Sequence, residues 1–332
     1  MIQLSARGIA AEWEAASGHL PRLTIGGADV LFAAPWRSDA GVQSDASIPV
    51  VDRRLGGTFA CAPFGADDVD GGPPHGRGAN GPWQVIRTSP SALTAWCPLS
   101  RGQMTARIAL RDDHPALYQT HVLDLEAPCT FAHHPMVQIT GGGRLSAATP
   151  RAILTFDAEA PVFDAHQRST LWQLTANGRS RDVRDLPQER CEDFLTLVSG
   201  GRGLGWTALR RFAEGDTILT LRRADQLPVT MLWLSNGARQ NAPWCGQVRG
   251  LIGIEDGIGA GAAGFAAALS ARSRVAAEGV ATALAPGRHV IPHAILRLDR
   301  PVEVSEVTLD RGLRIDTPDG PVHLPFDESH FA

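Results

Sequence analysis

Between Tyr118 and Leu125 the chain alternates. Tyr118, Thr120, Val122 and Asp124 fall on one side of an extended backbone, and Gln119, His121, Leu123 and Leu125 on the other. A period of two is that of a β-strand. Short apolar-rich runs recur at 22–25, 106–110, 152–156, 193–198, 217–222, 229–234, 293–298 and 302–307, separated by Gly, Pro, Asp and Asn. Many short strands punctuated in this way predict an all-β sandwich or barrel. Residues 261–272 are Ala-rich and read as the one helix, weakened by Gly264. A long loop is expected around residues 65–82, followed by a strand-like run at 83–86. No internal repeat and no Ser-, Pro- or charge-rich linker divides the chain, so residues 1–332 are read as a single domain.

Composition narrows the function more by exclusion than by suggestion. A hydrophobic content of 43% with 20% charged residues is that of an ordinary globular protein. A net charge of -4 gives no broad pull toward nucleic acid, and no apolar run approaches the roughly 18 residues of a membrane span. Residues 1–7 lack the charged-then-apolar order of a signal peptide, so a cytoplasmic location is expected. The five Cys (61, 97, 129, 191, 245) form no C-x-x-C pair and read as buried free thiols rather than a zinc site or disulfide frame. No Gly-x-Gly-x-x-Gly opens a helix after a strand, and no cofactor is expected.

Three separated segments carry candidate chemistry. Residues 73–83 place His75, Arg77, Asn80 and Trp83 among three Gly and three Pro. The imidazole, guanidinium and amide offer hydrogen bonds to a polyhydroxy ligand, and the indole offers an apolar face. Residues 131–136 contain His133 and His134, with Pro135 biasing His134 toward extended backbone. Neighbours in a strand point to opposite faces, so only one of these His can face a given cleft. Residues 251–259 form an apolar run ending in Glu255 and Asp256 before a Gly-rich turn. A carboxylate there is costly unless paired or used, and desolvation moves its pKa toward that of a general base. Just upstream, 236–246 carries Arg239, Asn241 and Trp244. Each segment also has a plainer reading: a solvated loop, a core His, a strand-end turn at Asp256-Gly257, or a Trp at a loop corner.

Taken in order, these segments resemble the galactose mutarotase-like (aldose 1-epimerase) superfamily. Gly26-Gly27-Ala28-Asp29-Val30-Leu31 followed by Pro35-Trp36 is similar to its opening. Leu55-Gly56-Gly57 through Pro63-Phe64 resembles the strand before its site loop, and His75-Gly76 its His-Gly motif. His134-Pro135 resembles its second His, Gly253-Ile254-Glu255 the strand of its catalytic Glu, and Leu284-Ala285-Pro286-Gly287 its late turn. The resemblance implies a β-supersandwich and proton shuttling on a sugar hemiacetal. Glu255 would take the anomeric proton, His134 would protonate the ring oxygen from the opposite side of the sugar, and His75 would hold a hydroxyl. Asp193 is the candidate for the family's sugar-binding Asp. Arg77, Asn80, Trp83, Arg239, Asn241 and Trp244 are candidates for further contacts. The family's Arg after Pro63-Phe64 is absent, Arg77 being the nearest, and Met136-Val137 stand where it has aromatics. The implied partner is a small-molecule carbohydrate. A non-catalytic carbohydrate-binding or sugar-sensing protein on the same fold is the alternative. A divalent-metal isomerase built from His75, His133 or His134, and Glu255 is a third reading.

Overall fold

The computed structural model describes residues 1–332. Two eight-stranded antiparallel sheets dominate it. The first, here the front sheet, runs Arg168–Ser169, Pro150–Thr155, Cys191–Ser199, Val229–Asn236, Leu251–Ile258, Phe131–His133, Ala60–Cys61, with Met136–Gln138 also paired to Leu251–Ile258. The second, the back sheet, runs Gly143–Ala147, Leu204–Arg211, Asp216–Arg223, Gly287–Leu298, Ala116–Leu125, Gly102–Ala109, Ala92–Leu99, Gln84–Thr88. Their facing sides interdigitate. Phe131, Leu195, Leu232 and Ile254 from the front meet Leu93, Met104, Leu123 and Ile295 from the back in one cluster of 47 buried residues. The N-terminal four-stranded sheet adds Leu4, Ile9 and Trp13 to the same cluster. No helix is long and apolar enough to cross a membrane.

The alternation read at 118–125 holds in space. Leu123 and Leu125 enter the central core, while Tyr118 turns outward into a separate cluster with Leu313, Ile315 and Phe326. These last residues belong to, or follow, a three-stranded C-terminal sheet (Glu306–Leu309, Leu313–Asp316, Val322–Leu324) lying on the outer face of the back sheet. Leu251–Ile258 is buried along its whole length. Its inner residues Ile252, Ile254 and Ile258 pack between the sheets, while Leu251 packs outward with Trp36, Val51, Met231 and Trp244.

Four expectations need correction. The helix expected over 261–272 is only a 3-10 turn at Gly261–Ala263 and a four-residue helix at Phe265–Ala268. Gly264 between them lies at φ 89°, which stops a helix. At 302–307 only Glu306–Leu309 pairs, one strand shifted toward the C-terminus. The loop at 65–82 contains a short helix, Gly76–Asn80. Among the thiols, Cys61, Cys97, Cys129 and Cys191 are buried, but Cys245 is exposed.

Candidate active site

The outer face of the front sheet holds a cavity of about 120 Å³. Its floor follows from the two-residue period. On Val229–Asn236 the outward residues are Met231 and Trp233, on Cys191–Ser199 Phe194, and on Leu251–Ile258 Glu255. His134 joins them from the short break between Phe131–His133 and Met136–Gln138. The registers on either side, His133 with Asp256 and Met136 with Gly253, put His134 opposite Glu255. Helical turns at Pro35–Ser38 and Val50–Arg53 roof one side, contributing Val51 and Asp52, and the loop after Asn236 contributes Arg239 and Trp244. Trp36, Trp233 and Trp244 meet edge-on, with centroids 5.2 and 5.7 Å apart, and stiffen that wall.

His134 and Glu255 are in contact: Nε2 lies 3.1 Å from Oε1, with both side chains at most 3% exposed. The Nε2 atom and the carboxylate oxygen are therefore within proton-transfer reach of one another. The resemblance implied an acid and a base on opposite sides of a sugar; the structure sets them side by side. Glu255 lines the cavity, and its Oε2 is buried without a hydrogen-bond partner. Phe59 stacks on His134 at 4.6 Å and fixes the ring's plane.

His75 reaches the same cavity from the 65–82 segment. Its backbone lies at φ 62°, and Gly76 follows at φ 65°. The tight double turn lets the Gly76 backbone approach the Ala62 carbonyl, where a Cβ would collide. The Gly65 amide donates to His75 Nδ1 at 3.4 Å, which leaves the proton on Nε2 as a donor. Burial, reinforced by His134, His19 and Arg239, holds His75 well below its usual pKa, so it is neutral at pH 7.

Arg239 is the cation of the wall. Its guanidinium lies 4.4 Å from the Trp244 ring centre and pairs with Glu192 at 2.8 Å. Glu192 also accepts from Trp233 Nε1 and Ser235 Oγ, each at 2.7 Å. Burial raises the Glu192 pKa, opposed by Arg239 and these two hydrogen bonds.

The structure therefore brings His75, His134, Glu255, Arg239 and Trp244 together and leaves the other candidates elsewhere. Asp193 points to the opposite face from Glu192 and spends its oxygens on the amides of Val162, Phe163 and Phe194. Asn80 clamps its own turn, accepting from Val51 and donating to the Pro74 and Gly76 carbonyls. Trp83 is a core residue packed edge-on against Trp13, its indole N–H spent on Gly78. Arg77 and Asn241 are exposed and do not line the cavity. His133 faces the interior, and no group of His, Cys, Asp or Glu side chains has metal-binding geometry. Sequence reasoning missed Glu192, Trp233, Phe59 and Asp52. Glu192 and Trp233 were within reach of the period-two signal, because each lies in a recognised strand run or at its edge. Phe59 sits in irregular backbone and Asp52 in a single helical turn, and neither gives such a signal.

No protein-family model matches the sequence, and no curated protein sequence does. Solved structures match in shape. A proposed aldose 1-epimerase from Escherichia coli K12 superposes with a TM-score of 0.60 at 16% identity, over 89% of this chain and 98% of the other. A galactose mutarotase related enzyme from Lactobacillus acidophilus gives 0.57 at 12% identity, over 92% and 99%. A galactose mutarotase-like protein from Lactobacillus casei gives 0.54 at 13% identity, over 90% and 100%. The chain has the galactose mutarotase-like fold.

Proposed function

We propose that the protein is a mutarotase of the aldose 1-epimerase kind, interconverting the anomers of a hexose or related sugar. The observation that carries this reading is the His134–Glu255 pair, a proton donor and a proton acceptor 3.1 Å apart at the base of a cavity walled by Trp. A hemiacetal presents its anomeric hydroxyl and its ring oxygen on the same carbon. Adjacent donor and acceptor groups therefore suit it. Glu255 accepts the anomeric proton, the C1 to ring-oxygen bond breaks as the C1 carbonyl forms, and His134, acting as the imidazolium, gives its Nε2 proton to the departing ring oxygen and is left neutral. Rotation about C1–C2 and reversal of both transfers yields the other anomer and restores both residues. His75, neutral and donating from Nε2, holds a hydroxyl. Trp233 and Trp244 supply apolar faces, and Arg239 offers the guanidinium N–H groups that Glu192 does not occupy.

Optical rotation after dissolving a pure anomer tests this. Glu255→Gln keeps the side chain's size but removes the acceptor, so the rate should fall by about 10²–10⁴-fold while the sugar still binds. His134→Asn should behave alike. His75→Asn should raise KM at least as much as it lowers kcat. A fully active Glu255→Gln would remove the mechanism. Sugar binding without any rate enhancement by the native protein would favour a carbohydrate-binding or sensing role.

A further inference from the structure

Behind the cavity, between the two sheets, lies a second cluster that the proposed chemistry does not use. Asp256 accepts from Thr220 Oγ1 at 2.8 Å, Thr230 Oγ1 at 2.5 Å and His293 Nε2 at 3.1 Å, and Arg222 Nη1 lies 3.1 Å away. Gln119 Nε2 donates to His293 Nδ1 at 3.4 Å, which fixes the His293 proton on the nitrogen facing Asp256. His133 stacks on His293 at 4.4 Å and is hydrogen-bonded to His121 at 2.9 Å. Every one of these side chains is buried.

Asp256 follows Glu255, and His133 precedes His134. The two doublets therefore straddle the front sheet, one member of each on the cavity side and one on the interior side. Register is what keeps them so, since a slip of one residue exchanges the faces. The apolar pattern of Leu251–Ile258 is only part of what specifies that register. Ile252, Ile254 and Ile258 are buried inward, but Leu251 is buried outward and Gly253 and Gly257 have no side chain to add to the preference. A buried ion pair is also weak evidence of stability, because apolar replacements are often neutral or better. The partners of Asp256 come from three strands: Asp216–Arg223, Val229–Asn236 and Gly287–Leu298. Its carboxylate is satisfied in one register only.

We infer that Asp256 and His133 are positioning residues: their interior cluster pins the two doublets so that Glu255 and His134 meet in the cavity. The inference rests on reading that pair as the reactive one. Asp256→Asn and Thr230→Val test it, with Thr230→Ser as the control that restores the hydroxyl. Three quantities are measured: the melting transition, kcat and KM for anomer exchange, and the NMR titration of the His134 ring in sugar-free protein. The expected result for Asp256→Asn is a cooperative melt, KM little changed, and kcat lowered about 10- to 100-fold, the scale of a small misplacement of reacting groups. The His134 titration curve should move as well. Thr230→Val should shift in the same direction and Thr230→Ser should match the native protein. If Asp256→Asn does not fold, Thr230→Val carries the test. The inference is overturned if a folded Asp256→Asn or Thr230→Val leaves both kcat and the His134 titration unchanged. It is also overturned if kcat falls only in proportion to unfolded protein. Should the native protein exchange no sugar, the functional reading fails, and the His134 titration still decides the positioning role.

Discussion

At the scale of single residues, the site depends on backbone as much as on side chains. His75 reaches the cavity because it and Gly76 both take the left-handed conformation, and Gly76 leaves no room for a Cβ beside the Ala62 carbonyl. Gly76→Ala should therefore lower stability by more than about 1 kcal/mol, the usual excess when a side chain is forced into φ > 0. It should also raise KM by displacing the imidazole. A melting curve and a saturation curve check the two effects separately, and native values for both would show that the turn does not aim His75. His75, His134 and Glu255 stand out in the sequence because each lies within two residues of a Gly or Pro in a family-like order, and the structure brings all three to one cavity. Asp193 does not reach the cavity, whereas its neighbour Glu192 pairs with the wall residues Trp233 and Arg239. The adjacent carboxylates of Glu192 and Asp193 are indistinguishable by type, and only the phase of the strand says that Glu192 faces the cavity wall.

At the scale of elements, the strands carry both the site and the fold's sensitivity to acid. His121 and His133 lie between the sheets, and burial depresses both, His121 to about 3, with His293 adding to the effect. Unfolded, each titrates near its ordinary value of about 6.5. Above that pH both states are neutral and these residues give no slope. As pH falls below about 6.5, the unfolded chain takes up protons that the folded chain refuses, so stability declines toward pH 3. The melting temperature should fall steadily from pH 7 to pH 4, and His121→Phe should flatten that fall. A native melting temperature independent of pH across this range would contradict the neutral, buried assignment. Most strands were readable from period-two runs between turn residues. The helix at 261–272 was not, because local Ala content was outweighed by Gly264. The helical turns at 35–53 gave no apolar period, and it is their packing on the outer face that forms them.

At the scale of the whole molecule, the sandwich core is the frame against which the cavity is held. Phe131 sits at its centre, fully buried, one strand from Glu255. Phe131→Ala should cost about 3–5 kcal/mol, the usual range for a buried aromatic, which chemical denaturation would register. A loss below 1 kcal/mol would mean that the sheets are not packed through this residue. The fold class was legible because alternation, turn spacing and motif order all pointed the same way. The roof of the cavity was not, because it is assembled from segments nearly 200 residues apart in irregular backbone. The central claim is that the His134–Glu255 cavity moves protons on a sugar hemiacetal. Exchange NMR on a panel of free and phosphorylated hexoses, with the protein far below the sugar concentration, tests it most directly. The account predicts cross-peaks between the α and β anomeric protons of at least one sugar, growing with protein concentration and absent with Glu255→Gln. Saturation transfer from protein to sugar, with anomeric exchange held at its spontaneous rate, would contradict it.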